Sequence, residues 1–422
     1  MAVIGTGYVG VSTAVGLAEL GHHVVGADID SAKVASLSAG SSPIAETGMS
    51  LGIVRNIEHG RLSFTTDVAG AVTGAAIVFL CLPTPQGDDG SADLSYIETV
   101  ARAIGSCLSP DAVVVNKSTV PVGSSVLVAG WLGRTDVRVV SNPEFLRQGT
   151  ALADFLNPTR IVVGGDDAAA VEKVAALYEK VDAPLLRMNA ASAEALKYAA
   201  NSFLATKLTF INAMADICEL VGADINDVVE GLGLDPRIGS EFLRPGPGWG
   251  GSCFPKDTRA LVRIAESGGY DFALLRGVIQ TNDEQYERIA QKVVELCGGS
   301  VQGRTIASWG LTFKANTDDL RDSPAIAILS SLHARGARIR AYDPEARGVE
   351  RLEWIERVDS ALAACDGADA LAVLTEWPEF SRVAPTDVAP RLARAAVVDG
   401  RNVLNPHDWK SAGFEYRGVG RN

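Results

Sequence analysis

The sequence predicts an α/β protein with two doubly wound sheets joined by a long central helix. Three observations carry that prediction. An apolar run, Ala2-Val3-Ile4, leads into Gly5-Thr6-Gly7-Tyr8-Val9-Gly10 and a helical pattern, with an acid, Asp28, eighteen residues beyond Gly10. That is the strand, turn and helix layout of a Rossmann-like dinucleotide domain. Ala191 to Val221 keeps apolar residues at helical spacing, with no Gly or Pro until Gly222. After Gly298-Gly299 the alternation of apolar strands and helices begins again.

At 422 residues the chain is too long for one core and long enough for two or three domains. A net charge of −13 argues against general nucleic-acid affinity, which needs a basic face, but leaves room for a small anion held by local Arg and Lys. The six cysteines, at 81, 107, 218, 253, 297 and 365, form no CxxC pair and have no His at ligand spacing. That argues against a zinc site and against a disulfide framework, so no metal site is expected, and it fits a reducing compartment, with the cytoplasm as the default. The N-terminal apolar stretch is too short and Gly-rich for a signal peptide, and no run of about 18 apolar residues spans a membrane.

In chain order, Ala2 to Ile4 is a strand and Val11 to Leu20 a helix closed by Gly21. The glycines between them give a tight turn and let a pyrophosphate approach the helix N-terminus. His23 to Asp28 is the second strand. Asp28 suits ribose hydroxyls and repels a 2′-phosphate, favouring NAD over NADP. Asp30 adds to that repulsion, whereas Lys33 could reach a phosphate. The fully apolar strand Ala76 to Leu82 ends in Pro83-Thr84-Pro85, and Ala112 to Asn116 ends in Lys117-Ser118-Thr119. Ligands gather at such carboxyl ends, so Thr84, Ser118 and Thr119 are candidate cofactor-edge hydroxyls, though Thr and Pro also simply form turns. Arg138 to Val140 is a strand followed by Ser141-Asn142-Pro143-Glu144-Phe145-Leu146. There Glu144 reads as a general base or as an ordinary solvated acid. Arg160 to Val163 is the last strand of this half.

The pattern at Ala191 to Val221 predicts a helix about 45 Å long, which bridges domains or forms an interface. Lys197 and Asn201 share one face with small neighbours, leaving room for a ligand. Asp224 to Leu232 is a short helix. Asp235 to Trp249 is dense in Gly and Pro, and with Arg237, Arg244 and Trp249 it suits a shelf for a sugar or phosphate. It runs into Gly250-Gly251-Ser252-Cys253-Phe254-Pro255-Lys256-Asp257. Pro255 suits a first helical turn, placing Cys253 at a helix N-terminus, where a thiolate is favoured. An isolated Cys is otherwise most often a small buried hydrophobe. Asp257, one turn on, is placed to position a proton or a water. Tyr270 to Cys297 holds one helix or two. Strands then follow at Arg304 to Leu311, Ala337 to Tyr342, Ala368 to Leu374 and Ala395 to Val398, with a helix at Ala325 to Arg335. Only Gly310 stands where a second Gly fingerprint would be, so this sheet takes a different ligand. Phe313, Lys314, Arg321 and Arg401 lie at or after its strand ends.

Eight segments in order resemble the UDP-glucose/GDP-mannose dehydrogenase family over nearly the whole chain. They are GTGYVG (5–10), KSTVPVG (117–123), SNPEFL (141–146), LKYAANSF (196–203), RIGSEFL (237–243), GWGGSCFPKD (248–257), LTFKANTDDLRDSP (311–324) and DGRNVLN (399–405). The resemblance implies an NAD-binding Rossmann-like domain at 1–190, a central helical dimerisation and catalytic domain at 191–290, and a UDP-sugar-binding Rossmann-like domain at 291–422. It also implies a homodimer built on the long helix. GSCFPKD together with RIGSEFL points within the family to UDP-glucose, with another sugar nucleotide, GDP-mannose or a UDP-N-acetyl sugar, as the rival substrate. The implied reaction oxidises C6 to the acid with two NAD. A one-step hydroxyacid dehydrogenase and a non-catalytic sugar-nucleotide sensor are further readings.

Carried over by the resemblance, Cys253 is the nucleophile, Lys197 stabilises the oxyanion or acts in acid-base work, Asn201 hydrogen-bonds the oxyanion, Asp257 helps with water or Lys197, and Glu144 with Thr119 organises the hydrolytic water. Gly5, Thr6, Gly7, Tyr8, Val9, Gly10, Asp28, Lys33, Pro83, Thr84, Pro85, Gln86, Ser118, Thr119, Gln148 and Arg321 hold NAD. Glu144, Phe145, Leu146, Lys197, Asn201, Phe242, Arg244, Gly248, Trp249, Gly250, Phe313, Lys314 and Arg401 bind the sugar nucleotide, and Arg237 reaches into the partner's site. Gln148 departs from the family, which usually has Glu there.

Overall fold

A computed structural model describes all residues except 45, 88 and 422, and the backbone but not the side chain of 350. The chain divides into two compact units, Met1–Ala200 with Arg263–Tyr270, and Asn201–Val262 with Asp271–Asn422.

The first unit holds an eight-stranded sheet: β1 (Ala2–Ile4), β2 (Val24–Ala27), β3 (Leu62–Thr65), β4 (Ile77–Leu80), β5 (Val113–Asn116), β6 (Arg138–Ser141), β7 (Ile161–Gly164) and β8 (Leu185–Met188). Its order is β3-β2-β1-β4-β5-β6-β7-β8. The first six strands are parallel in the 3-2-1-4-5-6 order of a doubly wound fold, and β7 meets β6 antiparallel. Alternate side chains of each strand feed the two faces. On β4, Ile77 and Phe79 join one core with Val3 and Val115, while Val78 and Leu80 join the other with Ile4 and Val114.

The second unit repeats the arrangement with six parallel strands: β9 (Thr305–Trp309), β10 (Arg338–Tyr342), β11 (Ile355–Arg357), β12 (Ala370–Val373), β13 (Ala396–Asp399) and β14 (Glu415–Arg417). The order β11-β10-β9-β12-β13-β14 is again 3-2-1-4-5-6. Ala370 and Ala372 of β12 face one core, and Leu371 and Val373 the other.

The long helix spans Ala190–Val221, 32 residues and about 48 Å. Its Ile211, Ala215 and Cys218 are buried in the second unit's core. Asp224 caps the helix Ile225–Gly233 by accepting from the Asn226 N–H. The region expected to hold one helix or two is a single helix, Ala273–Leu296.

Candidate active site

In the first unit the glycine turn forms a cradle. Gly5 sits at φ +89°, and a Cβ there would strike the Cys81 carbonyl at the end of β4, the neighbouring strand. A Cβ at Gly10 would strike Gly5 itself, so helix and turn pack backbone to backbone. Gly7 faces open space and precedes the helix Tyr8–Glu19 with no side-chain cap and no acid in its first turn. Those amides are oriented for a pyrophosphate. Val9 is half-buried against the core. At the end of β2, Asp28 accepts from the Thr6 N–H and hydroxyl, both at 2.8 Å. Burial raises the Asp28 pKa, but these bonds and Lys33 outweigh it, so the carboxyl sits below the usual range. These residues fit an NAD cofactor.

Two charged neighbours of Asp28 have local partners. Lys33 lies 3.3 Å from Asp28, so its charge is already engaged rather than reaching for a phosphate. Asp30 caps the helix Ser31–Ser38 through the Ala32 and Lys33 amides. The Tyr8 hydroxyl bonds Glu46 at 2.5 Å and the Arg147 carbonyl at 2.8 Å, and Glu46 also accepts from the Gly149 and Ala151 amides. The fingerprint is thereby tied to the segment carrying half-buried Gln148.

Beyond β4, Pro83 and Pro85 are exposed while Thr84 is buried and donates to the Thr119 carbonyl at 2.9 Å. Ser118 donates to the Leu82 carbonyl at 2.7 Å. Both hydroxyl protons therefore serve loop closure. In the loop after β6, Glu144 is buried, with Oε1 at 2.8 Å from Lys197 Nζ on the long helix and Oε2 accepting the Leu146 N–H at 2.6 Å. Lys197 also donates to the Glu144 carbonyl at 2.7 Å. Burial raises the Glu144 pKa, but the Lys197 charge and bonds outweigh it, and the carboxyl sits below its usual range. The Phe145 ring carries Arg160 at 3.8 Å and Lys197 at 5.4 Å. Thr119, Lys197 and Glu194 line one small cavity of about 10 Å³.

In the second unit, the helix Phe254–Ser267 begins where predicted. The Cys253 carbonyl accepts the Asp257 N–H at 2.8 Å, which makes Cys253 the N-cap, and the residue is exposed. Asp257 is fully buried; Oδ2 accepts from Asn201 at 2.6 Å and Oδ1 from Lys256 at 2.5 Å. A Cβ at Gly250 would strike the Asp322 carbonyl, and one at Gly251 the Phe313 ring. The close approach these glycines permit is thus to the protein itself. Gly248, at φ +113°, abuts Tyr286.

Phe242, at φ +61°, lies 6.4 Å from the Phe254 ring. Arg244 is exposed, and Arg237 is exposed and paired to Asp235 at 2.6 Å. Arg321 grips Asp319 through two bonds, at 2.9 and 2.6 Å. Arg401 donates to the Phe313 and Leu374 carbonyls and pairs with Glu376, while Lys314 lies 5.7 Å from the Phe313 ring.

Trp249 corrects the expectation of an aromatic shelf. Its indole is buried with Ala205, Val262 and Val278, and its N–H donates to Thr209 at 2.8 Å. Its amide and carbonyl are taken by Asn282 and Tyr286. A large apolar ring with one polar edge is best satisfied in the core with one partner.

The second sheet echoes the first with a closed acid. After β10, Asp343 accepts from the Leu311 and Thr312 amides, the Thr312 hydroxyl and the Trp377 indole, and its other oxygen from the Glu345 and Ala346 amides. It has the position of Asp28 but no capacity left for a ribose.

Family models match the chain in three consecutive stretches. They are the NAD binding domain of the UDP-glucose/GDP-mannose dehydrogenase family at residues 1–182, its central domain at 191–284 and its UDP binding domain at 307–406. The chain belongs to the UDP-glucose/GDP-mannose dehydrogenase family. Among its relatives, UDP-glucose 6-dehydrogenase TuaD of Bacillus subtilis (strain 168) is 44% identical over 430 residues, covering 100% of this chain and 93% of that protein. UDP-glucose 6-dehydrogenase of Rhizobium meliloti (strain 1021) is 44% identical over 432 residues, covering 99% of each. The structure of a UDP-glucose dehydrogenase from Pyrobaculum islandicum superposes with a TM-score of 0.93 at 39% identity, over 100% of this chain and 97% of that one.

Within this family framework three buried polar residues escape the sequence reading. Lys117 donates to Asn142 at 3.0 Å. Glu194 accepts from the Gly123 and Ser125 amides, capping the helix Ser124–Leu132 from a distant element. The KSTVPVG and SNPEFL motifs contain Lys117 and Asn142 but do not reveal their burial, and no motif signals Glu194.

Proposed function

We propose that the chain oxidises C6 of UDP-glucose to the carboxylate of UDP-glucuronate in two NAD-dependent steps. The observation that carries the reading is Cys253: an exposed thiol at a helix N-cap, one turn from a buried carboxylate held by Asn201. NAD, when bound, supplies the hydride acceptor for both oxidations, and the cradle from Gly5 to Gly10 with Asp28 would hold it.

The first oxidation removes a hydride and a proton from the C6 alcohol. The Cys253 sulfur then bonds to the aldehyde carbon, and the oxygen takes a proton, giving a thiohemiacetal. Tetrahedral carbon again bears a removable hydride, so the second oxidation gives a thioester. Water cleaves the C–S bond, returning the thiol and releasing the acid. Lys197 and Asn201 supply N–H donors to the oxyanion, Asp257 orients Asn201, and Glu144 with Thr119 orients the hydrolytic water. Phe145, Arg244, Gly250, Phe313, Lys314 and Arg401 are assigned to the sugar nucleotide, and Arg321 and Gln148 to the cofactor.

We assign residues 1–190 to NAD binding, 191–290 to catalysis and dimerisation, and 291–422 to UDP-sugar binding. A homodimer on the long helix is supported by exposed Phe203, Phe210 and Ile217, spaced seven residues apart on one stripe, and by Leu220. Arg237, exposed, is the residue assigned to the partner's site. Cytoplasmic residence is supported by the scatter of the six cysteines, which form no CxxC pair. No helix among the described residues is long and apolar enough to cross a membrane.

The rival substrate is another sugar nucleotide, since a UDP-D-ManNAc dehydrogenase from Pyrococcus horikoshii superposes with a TM-score of 0.89 at 27% identity. Turnover against UDP-glucose, GDP-mannose and UDP-N-acetyl sugars, with NADH counted per substrate, tests the proposal. Two NADH per UDP-glucose is expected; one NADH, or preference for another sugar nucleotide, overturns it.

A further inference from the structure

Two lysines are buried among the described residues, and their surroundings differ. Lys197, 4% exposed, is an ion-pair partner of Glu144. Lys117, 5% exposed, forms no ion pair among the described residues. Its Nζ donates to Asn142 Oδ1 at 3.0 Å and lies 5.8 Å from the Phe155 ring and 5.9 Å from that of Tyr178. Asn142 is itself anchored, accepting from the Tyr178 hydroxyl at 2.6 Å and donating to the Val162 carbonyl at 2.7 Å. Two residues later the same loop presents Glu144.

We propose that Lys117 is a positioning residue: through Asn142 its buried amine fixes the loop that carries Glu144, and its proton biases the Glu144–Lys197 pair. The inference rests on the proposed function only in placing Glu144 and Lys197 at the reacting centre. The titratable groups facing Lys117 are Cys81 after β4, Tyr178, Glu144 and Lys197. Burial pushes Cys81 up to about 12 and raises Tyr178 as well, so both are neutral. The remaining charges, Glu144 and Lys197, already neutralise each other. Little is left to hold an ammonium on Lys117, and burial pushes it down to about 8. When protonated, Lys117 favours the Glu144 carboxylate and opposes the Lys197 ammonium; when neutral, it does neither.

Full-length protein labelled with ¹³Cε-lysine and titrated by NMR tests this. The signal lost in Lys117→Met is expected to titrate well below the exposed lysines. Asn142→Asp is isosteric and gives Lys117 a carboxylate, so the signal should move up towards the exposed lysines. In turnover, Lys117→Met is expected to lower kcat about 10-fold or more with both KM values within about 2-fold. It should also remove an inflection from the pH profile of kcat, which Asn142→Asp shifts upward. A signal that titrates with the exposed lysines, or one unmoved by Asn142→Asp, overturns the inference. So does a Lys117→Met enzyme with the kcat and pH profile of the parent. If the parent fails to turn over UDP-glucose while the NMR signals behave as stated, the proposed substrate falls and the inference stands.

Discussion

Lys197 Nζ lies 2.8 Å from Glu144 Oε1, and both residues are buried. A pair of this kind is far more costly to break than to replace as a whole, because either partner alone leaves an uncompensated charge. Lys197→Met is expected to destabilise the protein by about 3 kcal/mol or more, and the double variant Lys197→Met with Glu144→Gln to recover much of that loss. Urea unfolding of the four proteins of the cycle measures it.

The same pair sets an acid sensitivity. The folded Glu144 value lies below its ordinary 4.5, so the stabilisation is fully present above that value. It is lost as pH falls below 4.5 towards the folded value. Glu144→Gln should show a shallower loss of stability over that window than the parent, measured as Tm against pH.

Cys253→Ala is expected to reduce acid formation by roughly 10³-fold while leaving the fold unchanged, since the residue is exposed. Acid formation near the parent rate would mean that another group captures the aldehyde.

At Asp28, replacement by Ala removes the acceptor of the Thr6 amide and hydroxyl and the charge that excludes a 2′-phosphate. KM for NAD should rise roughly 10-fold, a loss of about 1.4 kcal/mol, and the preference against NADP should narrow. Steady-state kinetics with the two cofactors checks this.

Gly250→Ala places a methyl against the Asp322 carbonyl. Backbone cannot yield there as a flexible side chain would, and the cost is expected to be about 1–3 kcal/mol, with activity falling although Cys253 is intact. Trp249→Phe, by contrast, forfeits the bond to Thr209 and some packing. It should lower stability by about 1–2 kcal/mol while leaving KM for the sugar nucleotide unchanged.

Strands buried on both faces are legible because their residues run apolar without alternation, as in Ile77–Leu80 and the three valines that open Val113–Asn116. Leu185–Met188 and Glu415–Arg417 escape notice because they are short edge strands with half or more of their residues outside the core. The glycine turn and the Cys253 helix start are legible because each needs particular residue types at fixed spacing. Lys117 and Glu194 are not, because polar side chains read as surface until partners 25 and 71 residues away bury them. Trp249 misleads in the opposite direction, since an aromatic beside glycines suits a shelf and a core equally.

The saturated carboxylate of Asp343 carries a temporal consequence for the proposed reaction. Of the two acids Asp28 and Asp343, Asp28 is the one that keeps room for a ribose, and its sheet is the one with the glycine turn, so in the proposed reaction both oxidations would draw on one dinucleotide site. Spent cofactor must depart and fresh cofactor arrive between the oxidations, and the half-oxidised sugar has to outlast that exchange. Leakage of aldehyde is then governed by how long the Cys253 adduct survives against how fast the cofactor turns over, and low NAD concentrations are where such leakage should be sought.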